Sequence, residues 1–132
     1  MNIQTVQDLL NVITQHRRST GIDAAMLATS ANVSTKFISQ MENGKETVEV
    51  DSLAKVARAL GMKIPILFNP EQTGKLVKEK RKELGLDQIT GAALCNVSPR
   101  FLSTIENGNP KKRLNKLFDV LNGFGITIDV KT

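Results

Sequence analysis

The side chains best suited to metal binding or to catalysis near neutral pH are scarce in this chain. It has one histidine, His16, and one cysteine, Cys95. A protein-built zinc site needs three or four ligands, and nucleophilic catalysis needs a nucleophile beside a base. The sequence has no such set, no carboxylate pair and no phosphate-binding loop. We therefore expect no enzymatic activity, no metal and no cofactor, and we expect His16 to lie exposed in the middle of a helix.

The basic residues point to a different chemistry, the binding of a polyanion. Lys and Arg number 18 against 13 Asp and Glu, which gives a net charge of +5. Residues 1–68 hold seven basic against six acidic side chains, whereas residues 69–132 hold eleven against seven. A basic domain favours nucleic acid as a partner, but it can also be a surface that is charged only for solubility.

Several features predict a soluble cytoplasmic protein. No apolar run approaches the roughly 20 residues that cross a bilayer. Residues 1–4 lack the basic flank and apolar core of a signal peptide. A single cysteine excludes an internal disulfide and suits a reducing compartment. We therefore expect no membrane partner.

The sequence repeats itself. Met41-Glu42-Asn43-Gly44 and Ile105-Glu106-Asn107-Gly108 lie 64 residues apart. The same offset aligns residues 10–66 with 74–130 without a gap, and many pairs are identical, including Gly21/Gly85, Asn32/Asn96 and Phe37/Phe101. An ungapped match of this length indicates duplication. We predict two domains, residues 1–68 and 69–132, which we call the first and second unit, with a short linker at residues 68–72.

Local signals predict four helices in each unit. In the second unit Thr73, Asp87 and Ser98 are predicted to cap the first three helices, Gly85 ends the first, and Ser98-Pro99 is a strong start signal for the third. Apolar positions from Leu114 to Leu121 indicate a fourth helix, and the alternation at Ile126–Val130 indicates a strand. In the first unit the predicted caps are Thr5, Asp23, Ser34 and Asp51, and the predicted strand is Met62–Leu67. The fold class is mainly α, with two tandem four- to five-helix domains, each followed by a short β-strand.

These residues resemble a known family. Residues 85–98 and 105–108 resemble the Xre/Cro-type, lambda-repressor-like helix-turn-helix family, in which the third helix enters the major groove. The second unit, Gly74–Val130, is also similar to HipB-type antitoxins, through its Asn-Gly-x-Pro-x-x-Arg-Leu stretch and its final strand. The resemblance implies a bacterial, nucleoid-associated repressor that binds double-stranded DNA at an operator. The HipB likeness implies autoregulation of a toxin–antitoxin operon and a HipA-like kinase toxin as partner.

Two alternatives stay open at this point. One is a phage or mobile-element repressor without a toxin. The other is a protein-interaction module that binds a toxin and has little affinity for DNA.

The resemblance also assigns roles to particular side chains. In the second unit it implies base contacts by Pro99, Arg100 and Thr104, with Arg100 suited to the O6 and N7 atoms of guanine. Backbone phosphates are expected at the remaining positions, namely Gln88, Ser98, Asn107, Lys111 and Lys112. Ser98 and Asn107 can equally be explained as helix-terminating residues, and the lysines as a solvated loop.

The first unit has polar groups at the equivalent positions, namely Ser34, Thr35, Lys36, Gln40, Asn43 and Lys45. Its counterpart of Gln88 is Ala24, which has no side chain to bind a phosphate. The first unit is therefore expected either to bind DNA with weaker contacts or mainly to support assembly.

Two structural roles are implied by the same family. Arg17 with Glu42, and Arg81 with Glu106, are expected to form buried ion pairs that join the first helix of each unit to the third. Cys95 falls at a small buried position and is expected to be an inert core thiol.

The duplication suggests a route to an assembly with two-fold symmetry. HipB-like proteins are homodimers whose terminal strands pair across the interface. We expect either such a homodimer or a pseudo-dimer within one chain, in which Met62–Leu67 pairs with Ile126–Val130. Pro65 weakens the second hypothesis because it lacks an N–H for the ladder.

Overall fold

A computed structural model describes all 132 residues and contains nine helices and one two-stranded sheet. None of the helices is both long enough and apolar enough to cross a membrane. In chain order the elements are β1 Asn2–Ile3, α1 Val6–Thr20, α2 Ala24–Ala31, α3 Thr35–Glu42, α4 Val50–Ala59, α5 Pro65–Phe68, α6 Pro70–Glu83, α7 Gln88–Leu94, α8 Pro99–Glu106, α9 Leu114–Gly123 and β2 Ile128–Asp129. The predicted class, mainly helical with two tandem units, is confirmed.

Most helices begin where the sequence predicts. Five predicted N-cap side chains accept a hydrogen bond from a backbone N–H in the first turn of their helix: Thr5, Asp23, Ser34, Asp87 and Ser98. Asn32 and Asn96 adopt φ of +57° in the tight turns that follow α2 and α7, a conformation that Asn tolerates better than most residues. The two turns are therefore built alike.

Two predicted caps are wrong, and the linker is shorter than predicted. The side chain of Asn69 accepts from the N–H of Gln72, so α6 begins at Pro70, and Thr73 lies inside it. The Thr73 hydroxyl donates instead to the carbonyl of Ile66. Helix α4 begins at Val50 without a side-chain cap, and Asp51 lies within its first turn.

The predicted strand at Met62–Leu67 is also wrong. Residues Pro65–Phe68 form the short helix α5, because proline at a first helical position has a suitable φ and needs no N–H partner. Within Met62–Leu67, Lys63 is the only residue that forms a β-bridge, and its partner is Lys131. The strand β2 pairs instead with β1, with Asn2 opposite Asp129 and Ile3 opposite Ile128. The partner of the C-terminal strand is therefore the N-terminus of the chain.

A second short pairing joins the two units. Glu49 lies opposite Arg113 in antiparallel orientation. The N–H of Val50 donates to the carbonyl of Lys112, and the N–H of Leu114 donates to the carbonyl of Val48, both at 2.9 Å. In the 64-residue repeat Val50 corresponds to Leu114 and Val48 to Lys112, so the repeat maps one hydrogen bond onto the other. The pairing therefore has local two-fold symmetry.

The core is continuous through both units. Thirty-four buried apolar residues form one cluster. It includes Leu53 and Val56 of α4, Leu117 and Val120 of α9, and Ile128 of the terminal strand, all nearly inaccessible to solvent. Small units bury a modest share of their surface on their own, so a shared core stabilises both.

Candidate nucleic-acid interface

Helices α7 and α8 and the turn between them form the central feature of the second unit. Gly91 and Ala92 of α7 and Leu102 and Ile105 of α8 are buried. The hydroxyl of Ser98 accepts from the N–H of Phe101 at 3.0 Å and fixes the start of α8. Since the buried residues occupy one side of α8, its other side is left facing solvent.

The solvent-facing side of α8 is polar. Pro99, Arg100 and Asn107 are exposed, and Ser103 and Thr104 are half-buried. The Thr104 hydroxyl donates to the carbonyl of Arg100 at 2.9 Å, and the Asn107 amide donates to the hydroxyl of Ser103 at 3.4 Å. No hydrogen bond or ion pair engages the Arg100 guanidinium, so its five donors are available to a ligand. We call these five residues the α8 outer face.

Ser103 is a member of this face that the sequence analysis missed. The helical spacing i+3, i+4, i+7 from Arg100 leads to Ser103, Thr104 and Asn107, and this spacing was a sufficient signal. The equivalent residue of the first unit is Ser39, which accepts from the Asn43 amide at 3.3 Å.

Gln88 lies beside the α8 outer face but is already engaged. Its amide donates to Glu106 Oε1 at 3.3 Å, and the side chain is half-buried. An amide nitrogen carries two hydrogens. One can stay on Glu106 while the other contacts an anion in front of the helix.

An ion pair fixes α8 from behind. Arg81 Nε and Nη2 donate to the two oxygens of Glu106 at 2.7 and 2.9 Å, and Arg81 Nη1 donates to the carbonyl of Leu86. Burial raises the pKa of Glu106, but the hydrogen bonds from Arg81 and Gln88 and nearby positive charge outweigh it, so its pKa is lowered overall. The pKa of Arg81 is raised, chiefly by its hydrogen bond to Glu106. Both groups are therefore charged at neutral pH.

Glycine makes room for this pair. A Cβ on Gly91 would lie 2.9 Å from Cδ of Arg81 and 3.3 Å from Cζ of Phe124. The guanidinium therefore reaches Glu106 through a gap that a larger residue would occupy.

The two lysines of the loop after α8 lie in different environments. Lys111 is exposed, and its backbone N–H donates to the side chain of Asn109. Lys112 is only 6% exposed, and its amine donates to the carbonyl of Asn109 at 2.7 Å. Burial lowers the pKa of Lys112. The expectation that Lys112 contacts a phosphate is therefore not supported, because its amine is turned away from solvent.

A basic cleft lies where this loop meets the first unit. Lys111, Arg113 and Lys116 line one side, and Glu49 and Asp51 line the other. Lys116 did not emerge from the sequence analysis, because its position depends on how α9 packs against the first unit.

The first unit presents a similar face on α3. Ser34, Thr35, Lys36, Asn43 and Lys45 are exposed and Gln40 is half-buried. Arg17 forms a two-pronged ion pair with Glu42, with Nη2 and Oε1 at 2.9 Å. Ala24, which replaces Gln88, leaves this unit without a side-chain amide at the start of α2.

The lone cysteine and histidine are both structural. Cys95 is buried, and burial together with the negative charge of Asp119 raises the pKa of its thiol to about 11. The prediction that His16 lies exposed is wrong. Its Nε2 donates to the carbonyl of Leu60 at 3.0 Å, because α1 packs near the end of α4. No group of three or more His, Cys, Asp or Glu residues is arranged to hold a metal ion.

Comparison with known proteins identifies the family. A helix-turn-helix family matches residues 13–67 and again residues 77–131, with the same 64-residue offset. The uncharacterized HTH-type transcriptional regulator y4mF of Sinorhizobium fredii is 36% identical over 61 residues, which cover 46% of this chain and 80% of that protein. No solved structure matches. The chain is therefore a DNA-binding transcriptional regulator, and it belongs to the Xre-type helix-turn-helix family in two tandem copies.

Proposed function

We propose that this protein is a sequence-specific repressor whose α8 outer face enters the major groove of an operator. The observation that supports this most directly is the polar outer face of α8 with its unengaged Arg100 guanidinium, held from behind by the Arg81–Glu106 pair. A helix that is rigid and polar on its solvent side meets the geometric requirement for contacting base edges.

The side chains divide into two groups by their position. Pro99 and Arg100 lie at the start of α8, Thr104 lies one turn further along the same face, and all three are proposed to contact bases. Arg100 is the main candidate, because a guanidinium can donate to two acceptors of guanine at once. The proposed phosphate contacts lie around this group, namely Gln88, Ser98, Asn107 and Lys111.

The first unit is proposed to bind with a different set of contacts. Thr35, Lys36 and Gln40 would face bases, and Ser34, Asn43 and Lys45 would face phosphates. The absence of an amide at Ala24 and the nearly neutral charge of residues 1–68 support weaker binding by this unit.

We further propose that the repressed operon is the protein's own and that the protein is an antitoxin. This rests on the HipB likeness of Asn107–Leu114 and of the terminal strand, so it is an analogy at the family level. A HipA-like kinase encoded next to the gene, and co-purification of that kinase with this chain, would support the antitoxin role. A phage-type gene neighbourhood without a kinase would contradict it and leave the repressor role intact.

The DNA-binding role is tested by footprinting on the upstream region, followed by titration of the protected duplex with Arg100→Ala. Loss of a bidentate base contact should weaken specific binding about 5- to 150-fold and relax base preference at one position. Lys131→Ala is the matched control, because it also removes one positive charge. Lys131 lies past the C-terminal end of α4, whereas the paired loops lie at the N-terminal end of α4. If Arg100→Ala binds as tightly as Lys131→Ala, the assignment of Arg100 is wrong.

Salt dependence separates this role from that of a toxin-binding module. Contact with about four to eight phosphates should lower affinity steeply as salt rises. Affinity that does not respond to salt would contradict operator binding.

A further inference from the structure

We infer that a single chain binds a pair of inverted half-sites of unlike sequence, so that its operator is an imperfect palindrome bound by one molecule. This inference rests on the proposed DNA-binding function and adds the form of the target. It depends on how the two units are arranged, on the side chains that each presents, and on the pairing of the terminal strand within the chain.

The first step is the symmetry of the junction. Glu49 and Arg113 are counterparts in the repeat and lie opposite each other, with matched hydrogen bonds of 2.9 Å on either side. Two equivalent segments that pair antiparallel in this way are related by a local two-fold axis. At this junction the units are thus arranged like the subunits of a symmetric dimer, in which the same segment of each copy meets the other. The pairings of the terminal strand with Asn2–Ile3 and with Lys63 lie outside this symmetry.

The second step places the two DNA-binding helices relative to this axis. Helix α3 ends at Glu42 and α8 ends at Glu106, each seven residues before its residue of the Glu49–Arg113 pair. The loops that follow the two helices therefore approach the axis equally. A two-fold axis between them gives the helices opposite directions, and such helices match inverted half-sites about 10 bp apart, or a multiple of that.

The third step is that the two outer faces differ. Three of the five residues of the α8 outer face differ from their counterparts: Thr35 against Pro99, Lys36 against Arg100, and Gln40 against Thr104. Lysine and arginine both suit guanine, but Gln40 suits adenine, whereas Thr104 has no such preference. Two faces with different donors and acceptors would select different bases, so the half-sites should be unlike.

The last step concerns the terminal strand. The N–H of Val130 donates to the carbonyl of Met1 on one edge. On the other edge Lys131 exchanges hydrogen bonds of 2.7 and 2.9 Å with Lys63. Neighbouring N–H groups of an extended strand point to opposite sides, so Val130 is paired on one edge and Lys131 on the other. The end of the terminal strand is therefore already paired on its second edge within the chain, which limits what a second chain can pair with.

The experiment uses the full chain and a library of about 30-bp duplexes with a randomised centre of about two helical turns. Rounds of selection give a preferred site, and sedimentation analysis gives the mass of the complex. The expected result is one chain per duplex and two unlike, inverted half-sites.

Two reciprocal face swaps test which unit binds which half. The first converts the first unit to the second unit's face, and its selected site should become a palindrome of the second unit's half-site. It should prefer that palindrome over the wild-type site by about tenfold or more. The reverse swap should give a palindrome of the other half-site, and it provides an independent test if the first variant fails to fold. The first set is Ala24→Gln, Thr35→Pro, Lys36→Arg and Gln40→Thr, and the reverse set is Gln88→Ala, Pro99→Thr, Arg100→Lys and Thr104→Gln.

The outcomes separate this inference from the proposed function. Two chains per duplex, a direct repeat, identical half-sites in the wild-type selection, or a single half-site would each overturn the inference and leave DNA binding in place. A selection that enriches no sequence would overturn the proposed function itself.

Discussion

Arg81 and Glu106 form a more deeply buried ion pair than their counterparts in the first unit. Their side chains are 8% and 2% exposed, whereas Arg17 and Glu42 are each 14% exposed. In the second unit Gln88 also donates to Glu106, and Gly91 leaves room for Arg81. The first unit has Ala24 and Leu27 at those two places. Helix α8, which is predicted to bind DNA more strongly than α3, is therefore also the helix joined to its unit by the more deeply buried ion pair.

Removing one member of the Arg81–Glu106 pair should be costly. Arg81→Met leaves the Glu106 carboxylate buried without its partner, and we expect a loss of about 3–5 kcal/mol in the free energy of unfolding, measured by urea denaturation. The double variant Arg81→Met/Glu106→Leu should recover much of that loss, because no uncompensated charge remains. Arg17→Met is the matched control and should cost less, since Glu42 is more exposed. Equal losses at the two sites would contradict the difference in burial.

The lowered pKa of Glu106 predicts a loss of stability in acid. A carboxyl whose pKa is lower in the folded state contributes stability above its unfolded pKa of about 4.3. That contribution is lost as pH falls through the folded pKa. The difference in unfolding free energy between the wild type and Glu106→Gln should therefore narrow when pH is lowered from neutrality to below about 4. A difference that stays constant with pH would contradict the assigned direction of the shift.

Neighbouring lysines should differ in their effect on DNA binding. Lys111→Met should reduce the salt dependence of affinity by about one phosphate contact, because its side chain is exposed in the loop that follows α8. Lys112→Met should leave the salt dependence unchanged, because its amine is buried against the carbonyl of Asn109. Its counterpart Val48 is also buried, so an apolar side chain is compatible with this position. Equal changes in the two variants would show that Lys112 moves outward on binding DNA.

Gly74 sets the distance between α6 and α8. A Cβ there would lie 2.4 Å from the carbonyl oxygen of Ile105 and 2.8 Å from that of Glu106, so the helices would have to separate. We expect Gly74→Ala to cost about 1–3 kcal/mol of stability, since overpacking outweighs the better helix propensity of alanine. Lys75→Ala, at an exposed position of the same helix, controls for propensity. Thermal unfolding and operator titration measure the effect, and an unchanged midpoint for Gly74→Ala would refute the close contact.

Some features of this protein were determined by local sequence. The 64-residue repeat and the capping residues Ser34 and Ser98 predicted the order of the helices, since caps act within a few residues. The same local signals failed where a distant partner competes. Thr73 is a good cap in isolation, but its hydroxyl bonds the carbonyl of Ile66, and Asn69 starts the helix earlier.

Tertiary structure decided the features that depend on which segments meet. The alternating pattern of Ile126–Val130 predicted a strand but could not identify Asn2–Ile3 as its partner, because that pairing joins the two ends of the chain. Lys111 and Lys112 are neighbouring lysines in the same loop. Only the packing of the second unit against the first buries Lys112. The pairing of Glu49 with Arg113 is likewise absent from any local pattern, since backbone hydrogen bonds between segments carry no signature in side-chain identity.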